Sequence, residues 1–499
     1  GLRANLLGSY TNDPISDPDF FCSVEREKEW RAFLFALCFF HALIQERREF
    51  GALGWNNPYE FNNSDLRISV QQLAMFLDLY DEIPFKALNY CTGQCNYGGR
   101  VTDDKDRRCL MTLLKRYFHP DTLKPGCKLS PEGEFMIPPD GDYDSYVAYI
   151  NTLPMVVNPS VFGFHENASI TKDQASTNLL MSSMLTCNRS AGATDSNDAD
   201  DTNEDDAGEK AEAKTQDELT SEVAGATLAK FPDPFDMEFA ALRYPVDWGE
   251  SMNTVVCQEL ERFNGLTAVI KQSLKDVRGA IKGTIVMSAE LEKLASSLFF
   301  GLVPTMWMDA SYPSLKPLAS YVTDLMQRLD FMDKWLNGAS PPAYWVSGFF
   351  FTQAFLTGTL QNFARKYRIP IDDISYDFDM MEGASTKYLA GNKPEDGAYI
   401  YGLFVDGARW NPSKAILVDS LPKQLFSDAP VIWLKPSKTI ELSKYPHYTC
   451  PVYKTSERRG MLSTTGASTN FVMMIRVPSD RAEDFWIAAG IAMLCSLSY

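Results

Sequence analysis

Few residues in this sequence could carry out bond chemistry, and they are far apart. His41, His119, His165 and His447 are the four side chains that most readily move protons near neutral pH. No two of them fall within one helical turn. His41 lies inside an apolar run and reads as a satisfied core histidine, not a general base. Cys91 and Cys95 form a C-x3-C pair without a second pair or a histidine at zinc-finger spacing, so they read as structural thiols. No G-x-S-x-G elbow and no H-E-x-x-H pair occurs.

Phosphate chemistry requires a glycine loop whose N–H groups cradle the anion, with Lys and Ser or Thr behind it. No G-x4-G-K-[S/T] run exists. The nearest fragment, Gly279-Ala280-Ile281-Lys282-Gly283-Thr284, has the wrong spacing and falls at the end of a helical pattern. Phe76-Leu77-Asp78 looks like a magnesium-binding strand end, but its periodicity makes it an exposed helix turn. Gly98-Gly99-Arg100 reads as a structural turn. Arg107 and Arg108 read as a solvated or salt-bridged helix start, although either could reach a phosphate on a neighbouring module. No catalytic, cofactor-binding or metal-ligating residue is therefore expected. Three glycosylation sequons, at Asn62, Asn167 and Asn188, have no signal sequence beside them and carry little weight.

Composition narrows the class. With 499 residues, 45% hydrophobic and 22% charged, the polypeptide has room for two to four domains. It opens on Gly1 in what reads as the middle of an element, so a fragment of a longer polypeptide is expected, in the cytosol. The richest apolar run, Phe33 to Ile44, is 12 residues long and suits a buried helix, not a membrane span. The net charge is −18, but 12 acidic and 2 basic residues crowd between Asp195 and Glu222. That sign argues against a nucleic-acid surface.

The elements that would position any site follow from periodicity. Residues 25–49 predict an amphipathic helix with Trp30, Phe33, Leu34, Leu37, Phe40 and Ile44 inward and a charged end at Glu46 to Glu49. Ser64 is a candidate cap for a second helix, with Leu66, Val70, Leu73, Leu77 and Tyr80 on its inner face. Pro84 starts a third, and Asp103 caps a fourth with Leu110, Leu113, Leu114 and Tyr117 inward. A helix is expected over Tyr143–Leu153 and another over Thr171–Cys187. Residues 188–227 hold almost no bulky apolar side chain and read as a disordered acidic insert. Two stripes, Val256 to Ile281 and Leu318 to Leu336, predict a packed helical layer, completed by a helix near Gly348 to Tyr367. After Pro370 the period changes to 2, predicting five or six antiparallel strands as a small barrel or sandwich.

One family resemblance covers nearly the whole sequence. Phe50-Gly51-Ala52-Leu53-Gly54-Trp55-Asn56-Asn57-Pro58-Tyr59 and Asn96-Tyr97-Gly98-Gly99-Arg100 resemble the region after the core of the sixth AAA+ module in dynein heavy chains. Val161-Phe162-Gly163-Phe164-His165, Ser311-Tyr312-Pro313-Ser314, Gly407-Ala408-Arg409-Trp410 and Cys450-Pro451-Val452-Tyr453-Lys454-Thr455 resemble the dynein C-terminal domain, in matching order. The acidic run at 195–222 is longer and more charged than that family's usual connector. The resemblance implies an α+β multidomain fold. Residues 1–10 would end the sixth large subdomain and 11–160 would form the helical AAA+ lid. Residues 161–370 would form the helical part of the C-terminal domain and 371–499 its β-barrel-like part. It also implies a non-catalytic fragment of an axonemal, inner-arm type heavy chain, located in the cytoplasm, cytoskeleton and the axoneme of a cilium or flagellum. Such a fragment braces the ring of an ATP-driven, minus-end-directed microtubule motor. ATP and magnesium would belong to the parent motor, and microtubules would be reached only through a stalk elsewhere in the heavy chain. Expected partners are the preceding AAA+ modules and dynein complex subunits, with no nucleic acid and no membrane. The alternative is an interaction module that binds another dynein subunit or a regulator through the acidic insert or the barrel edge.

Overall fold

The computed structural model describes residues 1–124, 126–192, 215–383, 385–438, 446–461 and 469–499. Three helices come first: α1 (Leu2–Tyr10), α2 (Pro18–Phe21) and α3 (Glu27–Glu46). Next come α4 (Asn63–Leu79), α5 (Phe85–Tyr90), α6 (Asp104–Leu114) and α7 (Tyr143–Thr152). The predicted stripe of α3 is buried, but so are Phe35, Ala36, Cys38 and Phe39 off the stripe. α3 is therefore the bundle's central rod and not a one-faced helix, with α1, α4 and α6 packed around it. Residues 1–10 join this core through Leu2, Leu6 and Tyr10.

Three local expectations need correction. At the end of α3 the backbone tightens into a 3-10 turn, Arg47–Leu53, which draws Glu46 and Arg47 inside and leaves only Arg48 and Glu49 of the expected charged end exposed. α4 is capped by Asn62, not Ser64. The Asn62 side chain accepts from the Ser64 N–H at 3.2 Å, and Asp65 accepts from the Asn62 N–H at 3.1 Å, a reciprocal cap. Tyr80, expected inward, is 49% exposed because the helix has already ended. Asp103 caps α6 as its sequence predicts.

α8 (Ala168–Gly192) leaves the bundle. The expected disordered segment, 188–227, is partly wrong: α9 (Gln216–Leu228) is a helix with a Thr215–Glu218 capping box. Thr220, Ala224 and Thr227 are small enough to let it seat closely, and they are buried where it packs on the helical layer. Residues 193–214 lie outside the described residues. The layer comprises α10 (Met237–Arg243), α11 (Ser251–Ile281), α12 (Ala289–Phe299), α13 (Thr305–Asp309), α14 (Leu318–Asn337) and α15 (Thr352–Tyr367), arranged around α11. The stripe from Val256 to Val277 is buried as expected, whereas Ile281 is half-buried.

The strands are β1 (Ala343–Trp345), β2 (Ser375–Met380), β3 (Ala398–Tyr401), β4 (Phe404–Asp406), β5 (Ala408–Asn411) and β6 (Ile416–Asp419). They continue with β7 (Phe426–Asp428), β8 (Ile432–Ser437), β9 (His447–Thr455), β10 (Phe471–Pro478) and β11 (Ala492–Ser496). Two short helices, α16 (Ser385–Leu389) and α17 (Glu483–Ala489), interrupt them. Here the expected antiparallel barrel is corrected. Among the described residues the strands form three sheets, β1-β3-β8-β2, β10-β9-β11-β4-β7 and β5-β6, with no closed barrel. Two pairs, β1 with β3 and β9 with β11, run parallel. The reason is local. Gly402 turns at φ 88° where a Cβ would meet the Trp345 ring at 2.3 Å, so the backbone passes there from β3 in one sheet to β4 in another.

Candidate functional site

The sequence-level candidates do not converge. His41 is enclosed in α3, where the Tyr97 hydroxyl meets its Nδ1 at 2.9 Å and the Gln45 amide meets its Nε2 at 3.0 Å. Burial pulls its pKa down to about 4, so it is a neutral core group at pH 7. His119 and His165 each accept a backbone N–H two residues on, at 3.1 Å and 3.2 Å, and His447 begins β9. Cys91 and Cys95 are free thiols, and no cluster of three or more metal-binding side chains exists among the described residues. Asp78 is exposed on α4, and Gly279 to Ile281 close α11. Arg100 is paired with Asp65 at 2.7 Å, and Arg107 donates to Val101 O at 2.7 Å. Of the sequons, Asn62 is the α4 cap. Asn167 is buried and clamps a loop by donating to Leu421 O and Gln424 O at 2.8 Å and 2.9 Å.

One candidate does lead to a site. Arg108 projects from α6 and donates to Thr449 O in β9 at 3.2 Å, with Glu483 of α17 3.6 Å away. This is one edge of a buried joint where the helical bundle meets the C-terminal sheets, and α6 packs directly on α17 there. At its centre lies Arg47, fully buried with no carboxylate partner among the described residues. Its guanidinium donates to Phe162 O, to Ala488 O at 3.0 Å and to Gly54 O at 3.3 Å. It stacks 4.2 Å from the Phe164 ring centroid. It also donates to Cys109 Sγ at 3.4 Å, and burial, the largest effect, lowers its pKa. The bundle, the connecting turn and α17 thus share one side chain.

The sheet side of the joint is built differently. Arg458 is 3% exposed, pairs with Asp406 at 2.6 Å and donates to Gly490 O at 2.7 Å. That bond steadies the Gly490 turn, which presses against the bundle. Gly490 sits at φ 70°, and a Cβ there would come within 2.2 Å of Leu53 O, so only glycine allows this approach. Gly54 is equally constrained, with a Cβ 1.8 Å from Arg47 O. Asn56 crosses the joint, donating to Tyr453 Oη at 2.8 Å, and Lys105 lies 3.7 Å over the Phe471 ring. Trp55 anchors the loop by donating to Ile44 O at 3.0 Å. Sequence patterns hide Arg47 and Arg458. Each stands in a charged cluster that looks solvated, and the nearby glycines are the only local sign of a close approach.

Across this joint the contacts are hydrogen bonds, an ion pair and a cation over an aromatic ring. Comparison with known proteins assigns its two sides. Residues 30–168 match the AAA lid domain of dynein heavy chains, and residues 174–495 match their C-terminal domain. The protein is 51% identical over 498 residues to dynein axonemal heavy chain 3 of Mus musculus and 49% identical over 499 residues to dynein axonemal heavy chain 12 of Rattus norvegicus. It is 44% identical over 500 residues to dynein axonemal heavy chain 1 of Homo sapiens. All of this sequence is covered each time, but it spans only 12%, 16% and 11% of those relatives. With the C-terminal-domain family matched across most of its length and the lid family across much of the rest, the protein belongs to the dynein heavy chain family.

Proposed function

We propose that this protein is a non-catalytic, structural and regulatory part of an axonemal dynein heavy chain of inner-arm type, acting in the axoneme of a cilium or flagellum. It braces the AAA+ ring of an ATP-driven, minus-end-directed microtubule motor by coupling lid movement to the C-terminal domain. The observation that carries this reading is the buried joint, in which Arg47 ties the lid to α17 through the Ala488 carbonyl. The exposed apolar residues of α8 support it further. Leu179, Leu180 and Met181 are 72%, 60% and 56% exposed, a surface suited to contact with a preceding AAA+ module. In this reading the protein needs no cofactor of its own, and ATP and magnesium act elsewhere in the heavy chain.

Two measurements test it. Calorimetric titration of the protein with magnesium-ATP is expected to give no heat of binding. Binding that a substitution among these residues abolishes would overturn the non-catalytic assignment. In the full heavy chain, Leu180→Asp with Met181→Asp is expected to change microtubule gliding velocity while leaving microtubule affinity intact. Unchanged gliding would remove the bracing role of α8.

A further inference from the structure

Away from the joint, the turns around α13 and the end of β9 enclose a cleft of about 620 Å³, a size and shape common to ligand sites. Leu302, Val303, Met308 and Leu315 supply its apolar lining, and three of these, Leu302, Met308 and Leu315, are exposed. Exposed apolar side chains continue beyond it: Phe299 and Phe300 at the end of α12, and Met306 in α13. Contiguous exposed apolar surface of this kind marks a contact site more often than bare protein surface.

The charged lining is fixed from behind by buried groups. Lys316 lines the cleft and donates to Asp324 Oδ1 at 2.9 Å. The other oxygen of Asp324 accepts from Arg328 at 2.6 Å and from the Tyr312 hydroxyl at 3.0 Å. Asp324 and Arg328 are both buried, and the Arg328 guanidinium lies 3.8 Å from the Tyr312 ring centroid. Two cations therefore share one carboxylate. Glu457 and Arg459, exposed just past the end of β9, complete the charged lining. Lys316, Arg328 and Arg459 thus stand against Asp324 and Glu457, an excess of one positive charge beside an apolar wall in a protein whose net charge is −18. Side chains already held in place lose little freedom when a ligand arrives.

We infer that this cleft docks a short segment of a partner protein that carries both aliphatic and acidic side chains. The aliphatic groups fill the space between Leu302, Met308 and Leu315, and a carboxylate meets the excess positive charge at Lys316 and Arg459. An extended segment fits better than a compact small molecule because the apolar surface is longer than the cleft. Met306 and Met308 suit such a partner, since their flexible, polarisable side chains repack against varied apolar groups. The cleft lies within the C-terminal region, so the inference holds whether or not the protein braces a ring.

Fluorescence anisotropy of labelled peptides against the whole protein tests it. A short peptide alternating Leu and Glu is expected to bind saturably, and its Leu and Lys counterpart about tenfold more weakly. Arg459→Glu is expected to weaken the acidic peptide by about tenfold, and Met308→Glu by at least as much. Both positions are exposed, so neither change empties the core. Leu242→Asp, on the exposed surface of α10, should leave binding unchanged. Hydrogen exchange over residues 299–316 and 455–459 is expected to slow when the peptide is added. No saturable binding, equal binding of the two peptides, binding that survives both cleft variants, or protection confined to other residues would each overturn the inference. Decanoate that displaces the peptide at equal concentration would assign the cleft to a small anionic amphiphile. A dimer that Met308→Glu dissolves would assign it to a second copy of this protein. Either result would overturn the assignment to a partner segment.

Discussion

Arg47 and Arg458 are both buried at the joint, yet the two sides neutralise their charge in different ways. Arg47 crosses between regions and is met by carbonyl dipoles, the Cys109 sulfur and aromatic faces. Arg458 stays within the C-terminal region and is met by the full charge of Asp406. The difference bears on how each side breaks. A guanidinium held by carbonyls leaves neutral acceptors unpaired when it is removed, whereas one held by a carboxylate leaves a bare buried charge. The crossing contact is therefore the more forgiving of the two, and the wall it leans on is the more brittle.

The largest expected effect is on the brittle side. Arg458→Met leaves Asp406 unpaired and should cost about 3–5 kcal/mol in denaturant unfolding. Adding Asp406→Leu should recover most of that, since two apolar groups replace the ion pair. If the double variant is no more stable than the single, the charge-based account of this wall fails. Arg47→Met leaves Phe162 O and Ala488 O without their donor and should cost about 2–4 kcal/mol. Arg47→Lys should rescue only part of this, because a single ammonium cannot reproduce a planar fork stacked on Phe164.

His41 tests the bundle apart from the joint. Its folded pKa of about 4 lies below the ordinary value of 6.5, so its contribution to stability is intact above pH 6.5 and is lost as pH falls toward 4. His41→Gln should flatten the acid limb of the stability profile by roughly 2–3 kcal/mol at pH 4. That limb lies well below the range near 7 to which burial raises the Asp106 carboxyl, so one pH titration separates the two groups. The smallest effect is expected at the exposed Arg481–Asp419 pair, 2.6 Å long but solvated on both sides, where Arg481→Ala should cost under about 1 kcal/mol.

The helical half is more legible in the sequence than the sheets. The α11 stripe keeps its period over many turns because one face is buried along its length, and every predicted stripe residue from Val256 to Val277 is inside. The sheets hide their topology because β1, β4 and β7 are only three residues long, too short to show a period of 2. Parallel pairing of β9 with β11 depends on where α17 carries the backbone, which no local pattern encodes. The joint is hardest to see. Arg47 follows Glu46 and precedes Arg48 and Glu49, a run that reads as solvent-facing until a 3-10 turn rotates two of its members inward. The resemblance to dynein locates both sides of the joint in sequence, but not the side chains that close it.

The central claim is that the lid and the C-terminal region behave as one fastened unit. Hydrogen exchange measured together on peptides from α3 and from β9 and β11 tests it most directly. The account predicts that both sets open with the same free energy in the unmodified protein. Arg47→Met should separate them, with the sheet peptides opening at lower free energy than α3. Independent opening of the two regions in the unmodified protein, or coupled opening that survives Arg47→Met unchanged, would contradict it.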